Sequence, residues 1–153
     1  MDQYGFVRVA AASPEMRVGD CEFNKKRIIE IIQRADQQQV EFLVLPELCI
    51  TGYTCSDLFR QTVLQESALK ALQEITDETQ GSLMVVMVGL PLNIRGRLFN
   101  CAAVIQDGKL LGIVTKTHIP GYSEFSEHRW FSGGEFLDIQ EIRIGGKTVP
   151  IGN

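Results

Sequence analysis

Apolar positions along the chain fall into two kinds of pattern. Short near-continuous runs read as strands, and spacings of three and four read as helices. Phe6-Val7-Arg8-Val9-Ala10-Ala11-Ala12 predicts a strand that ends at Ser13-Pro14. Asp20 then offers a side-chain cap for a helix. Along that helix Ile28, Ile31, Ile32 and Ala35 share one face, with Lys25, Lys26, Glu30 and Arg34 outside. Gln37-Gln38-Gln39 leads out of it into a second strand over residues 41–45. A second helix is expected over about residues 60–79, burying Leu64, Ala68, Ala71, Leu72 and Ile75 and stopping at Gly81. Residues 83–90 are apolar throughout, which predicts a central strand covered on both sides. Residues 98–106 and 109–115 are strand-like and joined by Asp107-Gly108, the strongest short hairpin signal. This order of elements predicts an α/β fold: a mixed sheet with helices packed on one face.

Composition narrows the class without choosing a chemistry. At 153 residues, with 44% hydrophobic and 22% charged residues, the chain reads as one globular domain with a real core. A net charge of -4 gives no electrostatic case for nucleic acid or an anionic membrane surface as partner. No apolar run approaches the roughly 18 residues of a membrane span. Met1-Asp2-Gln3-Tyr4-Gly5 lacks the basic-then-apolar order of a signal peptide. The four cysteines, Cys21, Cys49, Cys55 and Cys101, have no Cys-x-x-Cys spacing and read as reduced thiols, so a cytoplasmic location is expected.

Two stretches carry candidate chemistry. In Leu43-Val44-Leu45-Pro46-Glu47-Leu48-Cys49-Ile50-Thr51-Gly52-Tyr53 an apolar strand runs straight into a carboxylate. Pro46 ends the strand, which sets Glu47 at the mouth of a sheet, where open α/β folds collect ligands. A solvated loop glutamate is the plainer alternative. Lys116 mirrors Glu47: the strand Ile113-Val114-Thr115 ends in it, and a loop with Pro120 follows. Alone it reads equally as a surface lysine. If the two strands are neighbours, a Glu47–Lys116 pair results, and a buried pair of that kind is better explained by function than by stability. The following loop, Tyr122 to Phe131, is dense in aromatics and charges. Glu124, Glu127 and Arg129 can form a network that holds it, and for Glu127 and Arg129 that structural role is the favoured reading.

Pro46-Glu47-Leu48-Cys49-Ile50-Thr51-Gly52-Tyr53 and Lys116-Thr117-His118-Ile119-Pro120-Gly121-Tyr122 resemble the first two signature blocks of the nitrilase, or carbon–nitrogen hydrolase, superfamily. Thr51-Gly52-Tyr53-Thr54-Cys55-Ser56-Asp57-Leu58-Phe59 and Tyr122-Ser123-Glu124-Phe125, with Glu127, Arg129 and Phe131, narrow the likeness to the N-terminal glutaminase domains of glutamine-dependent NAD synthetases. The likeness runs from Val7 to about Pro150. It implies an αββα sandwich and a Glu–Lys–Cys triad that hydrolyses an amide. Carried over, Glu47 is the general base and Lys116 stabilises the oxyanion. Glu124 takes the place of a further glutamate that positions substrate or water. Tyr53, Tyr122 and Phe125 line a glutamine pocket, ordinary aromatic packing being the alternative. The resemblance also implies a homo-oligomer and a C-terminal synthetase domain, absent here, which uses ATP and magnesium to amidate nicotinic acid adenine dinucleotide. No cofactor is expected in this chain.

The sequence departs from that pattern in one respect. The family's nucleophilic cysteine lies on a later strand-to-helix turn followed by Glu-Asp, and none of the four cysteines fits it. The expectation is therefore an incomplete front part of the domain, inactive alone. A free-standing amidase and a non-catalytic oligomerisation module are the alternatives. Ser132-Gly133-Gly134 lacks the Asp-Ser needed for an ATP-pyrophosphatase loop and reads as a plain turn. His118 and His128 have no metal-ligand spacing around them, so no metal is expected.

Overall fold

The computed structural model describes residues 5–153; the N-terminal residues Met1 to Tyr4, read above as no leader, lie outside them. Strand β1 (Val9–Ala11) is followed by α1 (Cys21–Gln37), β2 (Phe42–Val44), a short 3-10 turn (Ser56–Arg60), α2 (Thr62–Glu78), β3 (Val85–Ile94), β4 (Arg97–Gln106) and β5 (Lys109–Thr115). A long loop with two further 3-10 turns leads to the hairpin of β6 (Glu141–Ile144) and β7 (Lys147–Gly152). The strands form one mixed sheet in the order β1-β2-β3-β4-β5-β7-β6. β1, β2 and β3 run parallel; β4 and β5 follow as an antiparallel meander; β7 returns parallel to β5.

The strand pleat explains the layering. Leu43, Val86, Val88, Ala103, Ile105 and Ile113 point to one face and are buried there with Ile28 and Ile32 of α1 and Leu72 and Ile75 of α2. The opposite face carries Val9, Phe42, Val44 and Val114, each at least 40% exposed. So the mixed sheet with helices on one face is observed, as one sheet layer and one helix layer. The side-chain oxygen of Asp20 accepts the Phe23 N–H at 2.9 Å, the expected cap. Asp107 and Gly108 adopt φ of 49° and 66°, the left-handed pair a tight hairpin needs.

Four expectations require correction. The strand predicted over 83–90 runs on to Ile94 and turns directly into β4 at Arg95-Gly96 (φ 51° and 82°), where the Asn93 side chain accepts the Gly96 N–H. Arginine at a left-handed position carries no turn signature, which hid this hairpin. That strand is also covered on both sides only from Gly89 to Leu92; Val85 and Met87 remain half-buried and Asn93 is exposed. The second helix begins at Thr62, because Ser56–Arg60 forms a separate 3-10 turn. Finally, β6 and β7 were not anticipated, although Gly145-Gly146 between two alternating runs is a hairpin signal.

One contact positions the site. After β2 the chain folds back over β3, with the Ile50 N–H donating to the Gly89 carbonyl at 3.1 Å. A Cβ on Gly89 would lie 2.3 Å from the Leu48 nitrogen. The bare glycine therefore lets the Glu47 turn lie directly on the sheet. Gly89→Ala is expected to lower unfolding free energy by about 3 kcal/mol, since the clash is with backbone that cannot swing away. Urea denaturation followed by circular dichroism checks this, and an unchanged midpoint would contradict it.

Candidate active site

Glu47 and Lys116 leave the same end of the sheet, because β2 and β5 run in the same direction across β3 and β4. Lys116 is held through its backbone. Its N–H donates to the Asn100 carbonyl at 2.8 Å, and its carbonyl accepts the Gly134 N–H at 2.9 Å. A Cβ on Gly134 would come within 2.7 Å of the Thr115 hydroxyl. The Ser132-Gly133-Gly134 turn thus packs against the end of β5.

The side chains then converge. Lys116 Nζ donates to Glu47 Oε1 at 2.6 Å and to Glu127 Oε2 and Oε1 at 3.0 and 3.3 Å. Asn100 Nδ2 donates to the same Glu47 Oε1. Tyr53 Oη donates to Glu127 Oε1 at 2.6 Å. One ammonium therefore bridges two carboxylates. Their surroundings differ: the Glu127 side chain is 5% exposed and that of Glu47 41%. Burial pushes the Lys116 ammonium towards losing its proton, but the Glu47 and Glu127 carboxylates outweigh burial and hold its pKa above the ordinary lysine value. Burial, reinforced by the adjacent Glu127 carboxylate, drives the Tyr53 phenol well above its ordinary value.

A cleft of about 320 Å³ opens beside this cluster, between the Ser56–Arg60 turn and the loop after β5. Tyr53, Glu124, Phe125 and Glu127 line it. Its two walls are tied together by Asp57, which accepts two hydrogen bonds from Arg129 at 3.1 Å and one from Trp130 Nε1 at 3.0 Å. Phe59 packs on Phe131 with ring centres 4.9 Å apart.

The structure brings Glu47, Lys116 and Tyr53 into one network, with Phe125 in the adjoining cleft. Tyr122 is 70% exposed and meets Phe125 edge-on at 5.7 Å. Glu124 lines the cleft, but its carboxylate makes no hydrogen bond or ion pair with the described residues. Besides Glu47, the carboxylate that reaches Lys116 is Glu127, for which the sequence favours a loop-holding role. That reading holds for Arg129, whose partner is Asp57 rather than a neighbouring glutamate. Asn100 was passed over as well. An asparagine inside an apolar strand was the available signal, since a buried amide needs partners.

All four cysteines are buried. Burial pushes the thiols of Cys21 and Cys49 up to about 11 and that of Cys101 to about 12, and it raises that of Cys55. None is poised to ionise at neutral pH. No group of three or more metal-ligating side chains is assembled among the described residues, and no described helix is long and apolar enough to cross a membrane.

Residues 8–151 match the family model described as carbon-nitrogen hydrolase. A glutamine-dependent NAD(+) synthetase from Mycobacterium bovis is 36% identical over 150 residues, covering 98% of this chain and 22% of that protein. The crystal structure of a glutamine-dependent NAD(+) synthetase from Cytophaga hutchinsonii superposes with a TM-score of 0.89 at 32% identity, covering 95% of this chain and 25% of that one. An amidase from Nesterenkonia sp. superposes with a TM-score of 0.70 at 23% identity over 94% of this chain and 54% of that one, a likeness of fold alone. The chain spans about a fifth to a quarter of the length of the synthetases it matches.

The two raised groups of the cluster, Tyr53 and Lys116, are protonated in the folded state. Their contribution to stability is present below the ordinary values of 10.0 and 10.5 and is lost as pH rises beyond them. The urea midpoint should therefore fall above pH 10.5. Tyr53→Phe, which has no phenol to titrate, should fall less steeply; identical slopes for the two proteins would contradict the assignment.

Proposed function

The chain belongs to the carbon–nitrogen hydrolase family, and from that premise we propose that it is the front part of a glutaminase domain of a glutamine-dependent NAD synthetase. The observation that carries the reading is the Lys116 ammonium held between Glu47 and Glu127 at a cleft mouth. Glu47, the more exposed carboxylate, acts as general base and takes the proton of an attacking thiol. Adjacent-base help is worth about 10² to 10⁴ in rate. The thiolate adds to the side-chain amide carbon of glutamine. Lys116 donates to the oxygen that gains charge, a single such donor being worth roughly 3 kcal/mol. Collapse of the adduct expels ammonia, which takes the proton from Glu47, and leaves a thioester that water hydrolyses to glutamate.

Glu127 holds the ammonium in place opposite Glu47 and anchors Tyr53, whose ring and that of Phe125 wall the substrate side of the cleft. Tyr122 and Glu124, both exposed, act at the cleft rim. The attacking thiol comes from outside these 153 residues, a reading supported by the four buried, proton-retaining cysteines. The ammonia serves a synthetase domain that uses ATP and magnesium to amidate nicotinic acid adenine dinucleotide.

One observation favours a second reading. The uncovered sheet face, with Phe42, Val44 and Val114 exposed, is the kind of apolar surface through which copies of a chain associate. Sizing chromatography separates the two: assembly without any response to glutamine supports a module that only associates.

The purified chain should release no ammonia from glutamine, while glutamine should shift the NMR resonances of Tyr53 and Phe125. Once the chain is joined to a cysteine-bearing segment of the same family, turnover should begin, and Glu47→Gln should lower kcat by about 10² to 10⁴. Ammonia release by the 153-residue chain itself, or full turnover with Glu47→Gln, would contradict the proposal.

A further inference from the structure

We propose that Asn100 is the positioning residue of this site, and that it decides which oxygen of Glu47 acts as the base. The inference rests on the reading of Glu47 as the general base. Asn100 is 3% exposed, inside β4, and it serves both partners at once. Its carbonyl accepts the Lys116 N–H, which fixes where the lysine leaves the sheet. Its side-chain amide donates to Glu47 Oε1, the same oxygen that receives the Lys116 ammonium.

Two donors on one oxygen have a chemical consequence. Oε1 is engaged, whereas Oε2 accepts no hydrogen bond from the described residues. A carboxylate pinned in this way presents one free oxygen to an incoming proton. Lys116 cannot enforce that alone. Its stem is flexible and its charge is shared with Glu127, so it would follow the carboxylate if Glu47 rotated. The Asn100 amide sits on a strand paired on both sides, at Pro91 in β3 and through Lys116 beyond β5, and cannot follow. It also presents its donor in a plane, so it restrains rotation about the carboxylate as well as distance.

The test is NMR of the 153-residue chain with Asn100→Leu, which keeps the side-chain size and removes the donor. In the parent chain Glu47 should show the side-chain couplings of a single rotamer. One Asn100 side-chain amide proton should resonate several tenths of a ppm or more downfield of the other asparagines, and should move upfield in Glu47→Gln. In Asn100→Leu the Glu47 couplings should average, while the backbone shifts of Lys116 stay in place. If Asn100→Leu does not fold, the amide-proton signature in the parent chain and its response to Glu47→Gln still decide. Couplings already averaged in the parent, couplings unmoved in Asn100→Leu, or an amide proton indifferent to Glu47→Gln would overturn the proposal. A restrained Glu47 that responds to Asn100→Leu in a chain that ignores glutamine supports the positioning and counts against the glutaminase reading alone.

Discussion

An ammonium between two carboxylates is the interaction on which the rest of this structure depends. Lys116 reaches Glu47 on one side and Glu127 on the other, and neither contact is free. Glu127 is almost wholly out of water, where an unpaired carboxylate would be costly. It is tolerable because Lys116 and Tyr53 both donate to it. Glu47 is left nearer solvent with one oxygen uncommitted. On the proposed reading the two carboxylates divide the work: the buried one fixes the charge in space, and the open one moves the proton.

The fold exists around that arrangement in a specific sense. Parallel β2 and β5 deliver Glu47 and Lys116 to the same edge, and β4 between β3 and β5 places Asn100 against both. The Glu47 turn lies flat on the sheet only because Gly89 has no side chain, and it accepts a left-handed Leu48 (φ 53°) in doing so. Strain of that kind persists where surrounding contacts over-determine it. Here Asn24, fully buried, donates to the Ile50 carbonyl and ties the turn to α1. Asp57 closes the other side by gripping Arg129 and Trp130.

Local patterns made much of this legible. Periodicity located both helices, and Asp107-Gly108 marked the β4–β5 hairpin, because these features depend on neighbours in sequence. Glu47 and Lys116 stood out as charges at strand ends, and signature blocks joined them. Glu124 and Glu127 lie three residues apart in one loop, and the residues themselves do not show which of the two reaches Lys116. What separates them is which one the short turn Glu127–Arg129 points inward, a matter of tertiary packing. The hairpin at Arg95-Gly96 is hidden because one of its two left-handed residues is an arginine, in a turn where the Asn93 side chain accepts the Gly96 N–H.

The most direct measurement is a pH titration of the Lys116 side-chain nitrogen by NMR, in the parent chain and in Glu127→Gln. An ammonium held by two carboxylates titrates above the ordinary lysine value of 10.5 and falls towards it when the buried carboxylate is neutralised. A Lys116 that titrates at or below 10.5 and ignores Glu127→Gln would contradict the account.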